Sequence, residues 1–564
     1  MHLLLVLHLL IISTLAVISA CPDGCRCSPF SVICSEITNF PAPLPSHVQN
    51  IYLQNCSIPS LKPEDMTSVA LIKLLIKDTN LREVVSGTFD ATTNLQTLQF
   101  SHTELQDLPD PVFQHLKNLQ SLTLSYSQLT ALRPNWTLHL QQLQLLDLSR
   151  NQLSSIPEDA FRPLTRLGYL SLSGNSFSQI SAETFKGLSN LQVLRLNKNS
   201  LQQIPAGTFD DLHMLRELSL QDNQLTHLHH DLFSNNSKLQ KLFLSNNRIS
   251  VLPQGIFLHL PVLSRISLYE NQLETLGPGQ FGPMPLQDLW LYDNRLSRLE
   301  DDTFSNLTEL RLLVLSRNRI NYVSAGAFRG LTKLGEVSLH TNLLKSLQPA
   351  TFQGLPNLVN ISLEHNFIDS LPVGFLQGVS HLGQVDLHNN SFTSLTPQSL
   401  KALSVVDEVL LHQNPWRCDK DILPLRNWLV DNPSKANQSA VVCETPFLLN
   451  KEVIASLTGE DLALLSSTSE PPLTSTEKKS HPKTPSVKLT TSSLGLKPTP
   501  TTKRTEDINV EEEEVISKNT TVILIIIAIV CAVLISTVII SCACWKRNRS
   551  GNRNIRQRCR NSVL

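Results

Sequence analysis

The stretch Leu143-Gln-Leu-Leu-Asp-Leu-Ser-Arg-Asn151 decides the architecture. Leu143, Leu146, Leu148 and Asn151 set a frame, L-x-x-L-x-L-x-x-N, that returns at Leu167, Leu191, Leu215, Leu239 and Leu263. Its asparagines, Asn151, Asn175, Asn199, Asn223, Asn247 and Asn271, are each 24 apart. After one 23-residue step come Asn294, Asn318, Asn342, Asn366, Asn390 and Asn414. A second column carries Phe89, Phe113, Phe161, Phe185, Phe209, Phe233, Phe257, Phe281, Phe304, Phe328 and Phe352. Two columns held in phase over such a span mark a repeat array. Upstream the frame degrades: Cys56, Thr79, Thr103 and Ser127 stand where asparagine is expected. About 16 coils result, over residues 48–414.

The pattern resembles the leucine-rich-repeat signature, and its physics is specific. One coil cannot bury its own leucines, so coils must stack. The alternating L-x-L is a short strand with leucines inward and the x residues outward. The asparagine side chain bonds backbone groups that would otherwise be unpaired, each bond contributing about 1 kcal/mol net. The expected fold class is an α/β solenoid, a horseshoe with a concave parallel β-sheet and the phenylalanines filling the convex side.

Both ends need covers. Cys21, Cys25, Cys27 and Cys34 follow an apolar segment, residues 1–20, that reads as a secretory signal peptide lacking a basic start. Four cysteines so placed read as a disulfide cap over 21–47, and a metal site is the weaker alternative in an oxidising compartment. At the far end, Asn414-Pro-Trp-Arg-Cys-Asp419, Trp428 and Cys443 resemble the C-terminal cap of leucine-rich-repeat arrays, here 415–462. Such caps usually carry two disulfides. Lys420 stands where a second cysteine is usual, and no cysteine follows Cys443 before the apolar segment. The resemblance therefore implies one bridge, Cys418–Cys443. Cys56 is left over and reads as a buried thiol in the asparagine column, or else as an intermolecular disulfide.

Residues 463–520 form a Ser/Thr/Pro-rich stalk that cannot bury a core. Residues 521–544 carry no charge and would reach roughly 36 Å as a helix, enough to span a bilayer. The tail, 545–564, is basic and acid-free, which puts it in the cytosol and makes the chain a single-pass type I plasma-membrane protein. Sequons begin at Asn55, Asn135, Asn235, Asn306, Asn360, Asn389, Asn437 and Asn519. A glycan on Asn360, a strand position, would block binding locally. Cys542 and Cys544 are candidates for palmitoylation, and Ser562-Val563-Leu564 fits a PDZ-type ligand.

With 47 basic and 48 acidic side chains the chain has no drive toward nucleic acid. There is no metalloprotease, nucleophile-elbow, P-loop or dinucleotide motif, so neither catalytic residues nor a cofactor nor a metal are expected. The outward strand positions offer a protein-binding site instead. Phe243, Arg265, Tyr269, Trp290 and Tyr292 fall on the concave face of three successive coils, with Glu270 and Asp293 at one edge. Aromatics and arginine inside a charged rim are what interface hot spots use, although local packing would also explain them. His340, Glu364, His388 and His412 occupy one frame position in four coils. They could sense pH or hold a metal, or simply be exposed polar groups.

Phe281-Gly-Pro-Met-Pro285, Leu289-Trp-Leu-Tyr-Asp-Asn294 and Asp421-Ile-Leu-Pro-Leu-Arg-Asn-Trp-Leu429 carry a narrower resemblance. Over residues 21–445 the chain is similar to the group of surface glycoproteins that contains leucine-rich repeat-containing protein 15 (Lib) and platelet glycoprotein V. That resemblance implies a cell-surface adhesion receptor binding extracellular matrix proteins such as collagen, fibronectin or laminin, or other cell-surface proteins. An accessory subunit regulating another membrane receptor is the alternative, and innate immune recognition a third reading.

Overall fold

The inward leucines of successive coils form unbroken rows. Leu146, Leu170, Leu194, Leu218, Leu242 and Ile266 are register partners across parallel strands. Each is at most 1% exposed. The row continues through Leu289, Leu313, Val337, Ile361, Val385 and Val409. Full burial of one such side chain contributes roughly 1.5–3 kcal/mol, so stacking rather than any single coil holds the array together. The 23-residue steps leave the register intact, with Ile51 opposite Leu74 and Ile266 opposite Leu289.

These strands belong to an 18-stranded sheet in a computed structural model of the chain, which describes residues 21–462 except 42–43, 45–46 and 68–69. Two strands come from the N-terminal cap and one from each of 16 coils. The signal segment, the stalk, the 521–544 segment and the tail lie outside the described residues, as do Asn519, Cys542, Cys544 and Ser562–Leu564. Among the described residues no helix is long and apolar enough to cross a membrane.

The face opposite the sheet departs from the expected α/β character. The coils cross it as turns, with two short parallel strand pairs at 60–61 with 83–84 and 298–299 with 322–323. Among the described residues the α-helices are confined to the last coil and its cap: α1, Pro397–Ala402, and α2, Leu423–Asp431. The reason is length. A 24-residue coil that spends its residues on a strand and an asparagine loop keeps about ten for the return, too few for a stable helix. Successive three-residue turns such as Ala160 N–H to the Pro157 carbonyl close it instead.

The phenylalanine column fills this side as a continuous stack. Phe161, Phe185 and Phe209 follow one another at 6.3 Å, and the series continues to Phe304. Where the column skips a coil, between Phe113 and Phe161, the buried Trp136 takes the place and meets Phe113 edge-on at 6.4 Å.

The asparagine ladder closes each loop. The Asn199 carboxamide donates to the carbonyls of Leu172 (3.1 Å) and Leu196 (3.0 Å), and its oxygen accepts from the Phe177 N–H at 3.1 Å. One side chain thus ties backbone groups of two successive coils together. The substitutes do less: Thr103 and Ser127 bond each other at 2.7 Å, and the Thr79 hydroxyl is buried without a partner.

At the N-terminus, Cys21–Cys27 and Cys25–Cys34 are bridged, pinning a hairpin of Cys25–Ser28 and Ser31–Ser35. Its second strand pairs in parallel with Asn50–Gln54 and so covers the first coil. At the other end Cys418 is bridged to Cys443. Trp416, fully buried, stacks on Phe392 at 6.1 Å and donates to the Leu411 carbonyl at 3.2 Å. Cys56 is a buried free thiol whose sulfur lies 3.2 Å from the Gln54 carbonyl.

Candidate functional site

The outward positions of the sheet are set by the alternation within each strand, and the residues singled out in the sequence meet there. Phe243 and Trp290 are register partners of the same residue, the buried Ser267 on the strand between them. The small Ser267 side chain leaves the two rings standing on either side, both half-buried. Tyr269 and Tyr292 stack at 4.6 Å with their planes 6° apart. Arg265 lies in register between Lys241 and Asp288, exposed and without an ion pair among the described residues. Of the two rim acids, Asp293 is engaged by Arg317 at 2.9 Å, whereas the exposed Glu270 has no ion pair among the described residues.

Electrostatics mark Tyr292. Burial, then Tyr269 and the carboxylates of Glu270 and Asp293, push its phenol up to about 12, with Arg317 acting weakly against them. The hydroxyl is therefore a protonated hydrogen-bond donor on an otherwise aromatic surface. Aromatic rings, a free guanidinium and a fixed donor together can desolvate and orient a protein partner.

Further along, His340, Glu364, His388 and His412 share one row, as the frame requires. His388 and His412 stack at 4.4 Å, and His365, from the adjacent position, meets His388 edge-on at 5.0 Å. His388 Nδ1 lies 2.6 Å from the Asp386 carboxylate. Burial holds the His340 and His412 imidazoles below the usual histidine range and the Glu364 carboxyl above its own. Glu364 Oε2 is buried without a hydrogen-bond partner.

Two features escape a reading by frame alone. The residue before each ladder asparagine adopts a left-handed backbone in every coil, from Asn55 (φ 53°) to Gln413 (φ 56°), Glu270, Asp293 and Asn389 among them. Gly174 (φ 67°) and the asparagines and aspartates of that column, such as Asn55, Asp78 and Asn246, are the hints the sequence offers. Separately, His229, His230 and Asp231 bring ligand-type atoms within 4.8 Å of one another on an exposed turn, though no metal site was expected. Of the sequons, Asn55, Asn135, Asn235, Asn306, Asn389 and Asn437 are exposed, while Asn360 is half-buried on its strand.

Comparison with known proteins places this geometry. The family model described as leucine rich repeat matches residues 70–129, 117–177, 165–225, 215–273, 237–289, 285–340 and 356–415, more than half of the chain. No curated protein matches it. Among solved structures, a leucine-rich-repeat protein of Leptospira interrogans is 27% identical, over 69% of this chain and 89% of its own, with a TM-score of 0.51. The LRIM1/APL1C complex is 19% identical over 72% of this chain and 66% of its own, at 0.51. The Drosophila Toll–Spätzle complex is 20% identical over 78% and 76%, at 0.49. The likeness to the LRIM1/APL1C complex is one of fold. Stacked leucine rows, the asparagine ladder and seven overlapping matches have one explanation: the chain belongs to the leucine-rich-repeat family.

Proposed function

We propose that the chain is a cell-surface receptor, anchored by residues 521–544, that adheres to extracellular matrix or cell-surface proteins through the sheet face between Phe243 and Tyr292. The leucine-rich-repeat solenoid is a scaffold for protein–protein contact, and no enzyme site is called for. The observation that carries the proposal is the stacked Tyr269–Tyr292 pair beside Trp290, with Arg265 unpaired next to it. Large aromatics held open on a rigid sheet are disfavoured in water unless a partner covers them. The test is adhesion of cells displaying the full chain to surfaces coated with collagen, fibronectin or laminin. Trp290→Ala and Tyr269→Ala are expected to lower that adhesion at equal surface expression. Unchanged adhesion in both variants rejects the patch.

A further inference from the structure

The last four coils, one coil beyond the aromatic patch, carry a different chemistry. Their outward and edge residues run Glu336-Val-Ser-Leu-His-Thr341, Asn360-Ile-Ser-Leu-Glu-His365, Gln384-Val-Asp-Leu-His-Asn389 and Glu408-Val-Leu-Leu-His-Gln413. These segments hold four carboxylates, Glu336, Glu364, Asp386 and Glu408, and four histidines, His340, His365, His388 and His412. They hold no lysine or arginine. The neighbours do not neutralise them. Arg317, on the preceding coil, is taken by Asp293. Asp407 faces His381 at 3.3 Å. On the cap side Arg417 is held by Asp419 and Asp421, and Lys435 reaches the Ser404 and Val406 carbonyls rather than a carboxylate.

Within these four segments the imidazoles are therefore the only groups that can become cationic, while Arg311 and Arg319 on the preceding coil are exposed without an ion pair among the described residues. With the histidines neutral, four carboxylates stand unopposed within about 15 Å, the span of four strands. Glu408 is bonded only by the Gln384 amide at 2.8 Å, and Glu364 has an oxygen with no donor at all. With the histidines protonated, four cations stand among four anions and the net field vanishes. The stacked His388 and His412 rings, 4.4 Å apart, then present like charges to whatever lies above them.

From this we infer that the sheet face of residues 336–413 docks a basic polypeptide segment, rich in lysine or arginine, and releases it when the pH falls. The inference rests on the reading of the sheet as the binding surface but not on the aromatic patch. Complementary charge brings the segment to the face, where its cations pair with exposed carboxylates such as Glu336 and Glu408. Acidification then protonates the histidines, and the same positions repel the cations they attracted. Burial lowers His340 and His412, which moves their protonation to more acidic pH, and raises Glu364, which loses its negative charge earlier as the pH falls.

The probe is fluorescein-labelled nona-arginine, and the readout is fluorescence anisotropy with the purified full chain bearing its own glycans at low ionic strength. Sequons Asn360 and Asn389 border the row, so a glycan lying over it abolishes binding and overturns the inference. Binding is expected at pH 7.4, with at least a tenfold loss at pH 5.0. His340→Gln with His388→Gln and His412→Gln should reduce that loss to about twofold. Glu336→Gln with Glu364→Gln and Glu408→Gln should weaken binding at least tenfold at pH 7.4. Trp290→Ala should leave the peptide's affinity unchanged, which separates this face from the adhesion patch. Equal binding of the wild-type chain at both pH values, or full binding by the glutamine-for-glutamate variant, overturns the inference. The pH comparison needs no variant, so a misfolded substitution does not decide it.

Discussion

Tyr269 and Tyr292 lie face to face at 4.6 Å although they come from coils joined by a 23-residue step. The shorter coil keeps strand register and loses its residue on the far side, so the aromatic surface stays continuous. Tyr292 should consequently titrate late. Its phenol is pushed up to about 12 against an ordinary value near 10. A raised pKa favours the native state below pH 10, and that contribution is lost as the pH climbs through 12. Ultraviolet titration should show a tyrosine step near 12 that disappears in Tyr292→Phe. If that variant titrates like the wild-type chain, the assignment is wrong.

The asparagine ladder should dominate local stability. Asn199→Ala orphans the buried Phe177 N–H, at about 1–3 kcal/mol, and takes one of two donors from the Leu172 and Leu196 carbonyls, which keep Asn175 and Asn223. Thr79→Ala removes a hydroxyl that has no partner and should change little. Denaturant midpoints of the two variants should therefore differ clearly, with Asn199→Ala much the lower. Equal midpoints would mean that water replaces the ladder at no cost.

Trp136 tests the phenylalanine stack. Trp136→Ala should cost about 3–5 kcal/mol, as for other buried aromatics. Trp136→Phe should stay within about 1.5 kcal/mol of the wild-type chain. Phenylalanine is the residue of the column elsewhere, and the substitution removes an indole N–H that is buried without an acceptor. Thermal or chemical unfolding of both variants measures this directly, and a Phe variant as damaged as the Ala variant would refute the account.

Cys56 should be silent in the folded protein. Its thiol is 5% exposed and sits over the Gln54 carbonyl in the first coil. Alkylation under non-reducing conditions should label it only once denaturant has opened the N-terminal coils. Rapid labelling of the native chain, or a covalent dimer lost in Cys56→Ser, would contradict a buried role.

The sheet, its register and the aromatic patch were legible because period-24 positions translate directly into neighbours: knowing that Trp290 and Phe243 share a frame position is nearly the same as knowing that they flank Ser267. The return path was not legible. Nothing in a segment such as Pro157–Leu167 distinguishes a short helix from a run of turns by periodicity, and the length left in the coil decides it. Trp136 was hidden for the opposite reason. It sits one residue off the phenylalanine frame, and only packing against Phe113 shows that it belongs to the column. Charge balance across coils, such as Arg317 with Asp293, is likewise a matter of side-chain reach that spacing does not encode.

The left-handed position ahead of each asparagine has a consequence for how this surface can be altered. The backbone there ordinarily prefers glycine, and any other side chain costs roughly 1–2 kcal/mol. Yet the column holds Tyr126, Arg150, Lys198, Glu270, Thr341 and His365 alike. Since the architecture tolerates such different groups at one backbone geometry, it is indifferent to their chemistry. The fifteen side chains along one rim can be exchanged, several at a time, to change what the protein grips without touching how it stands.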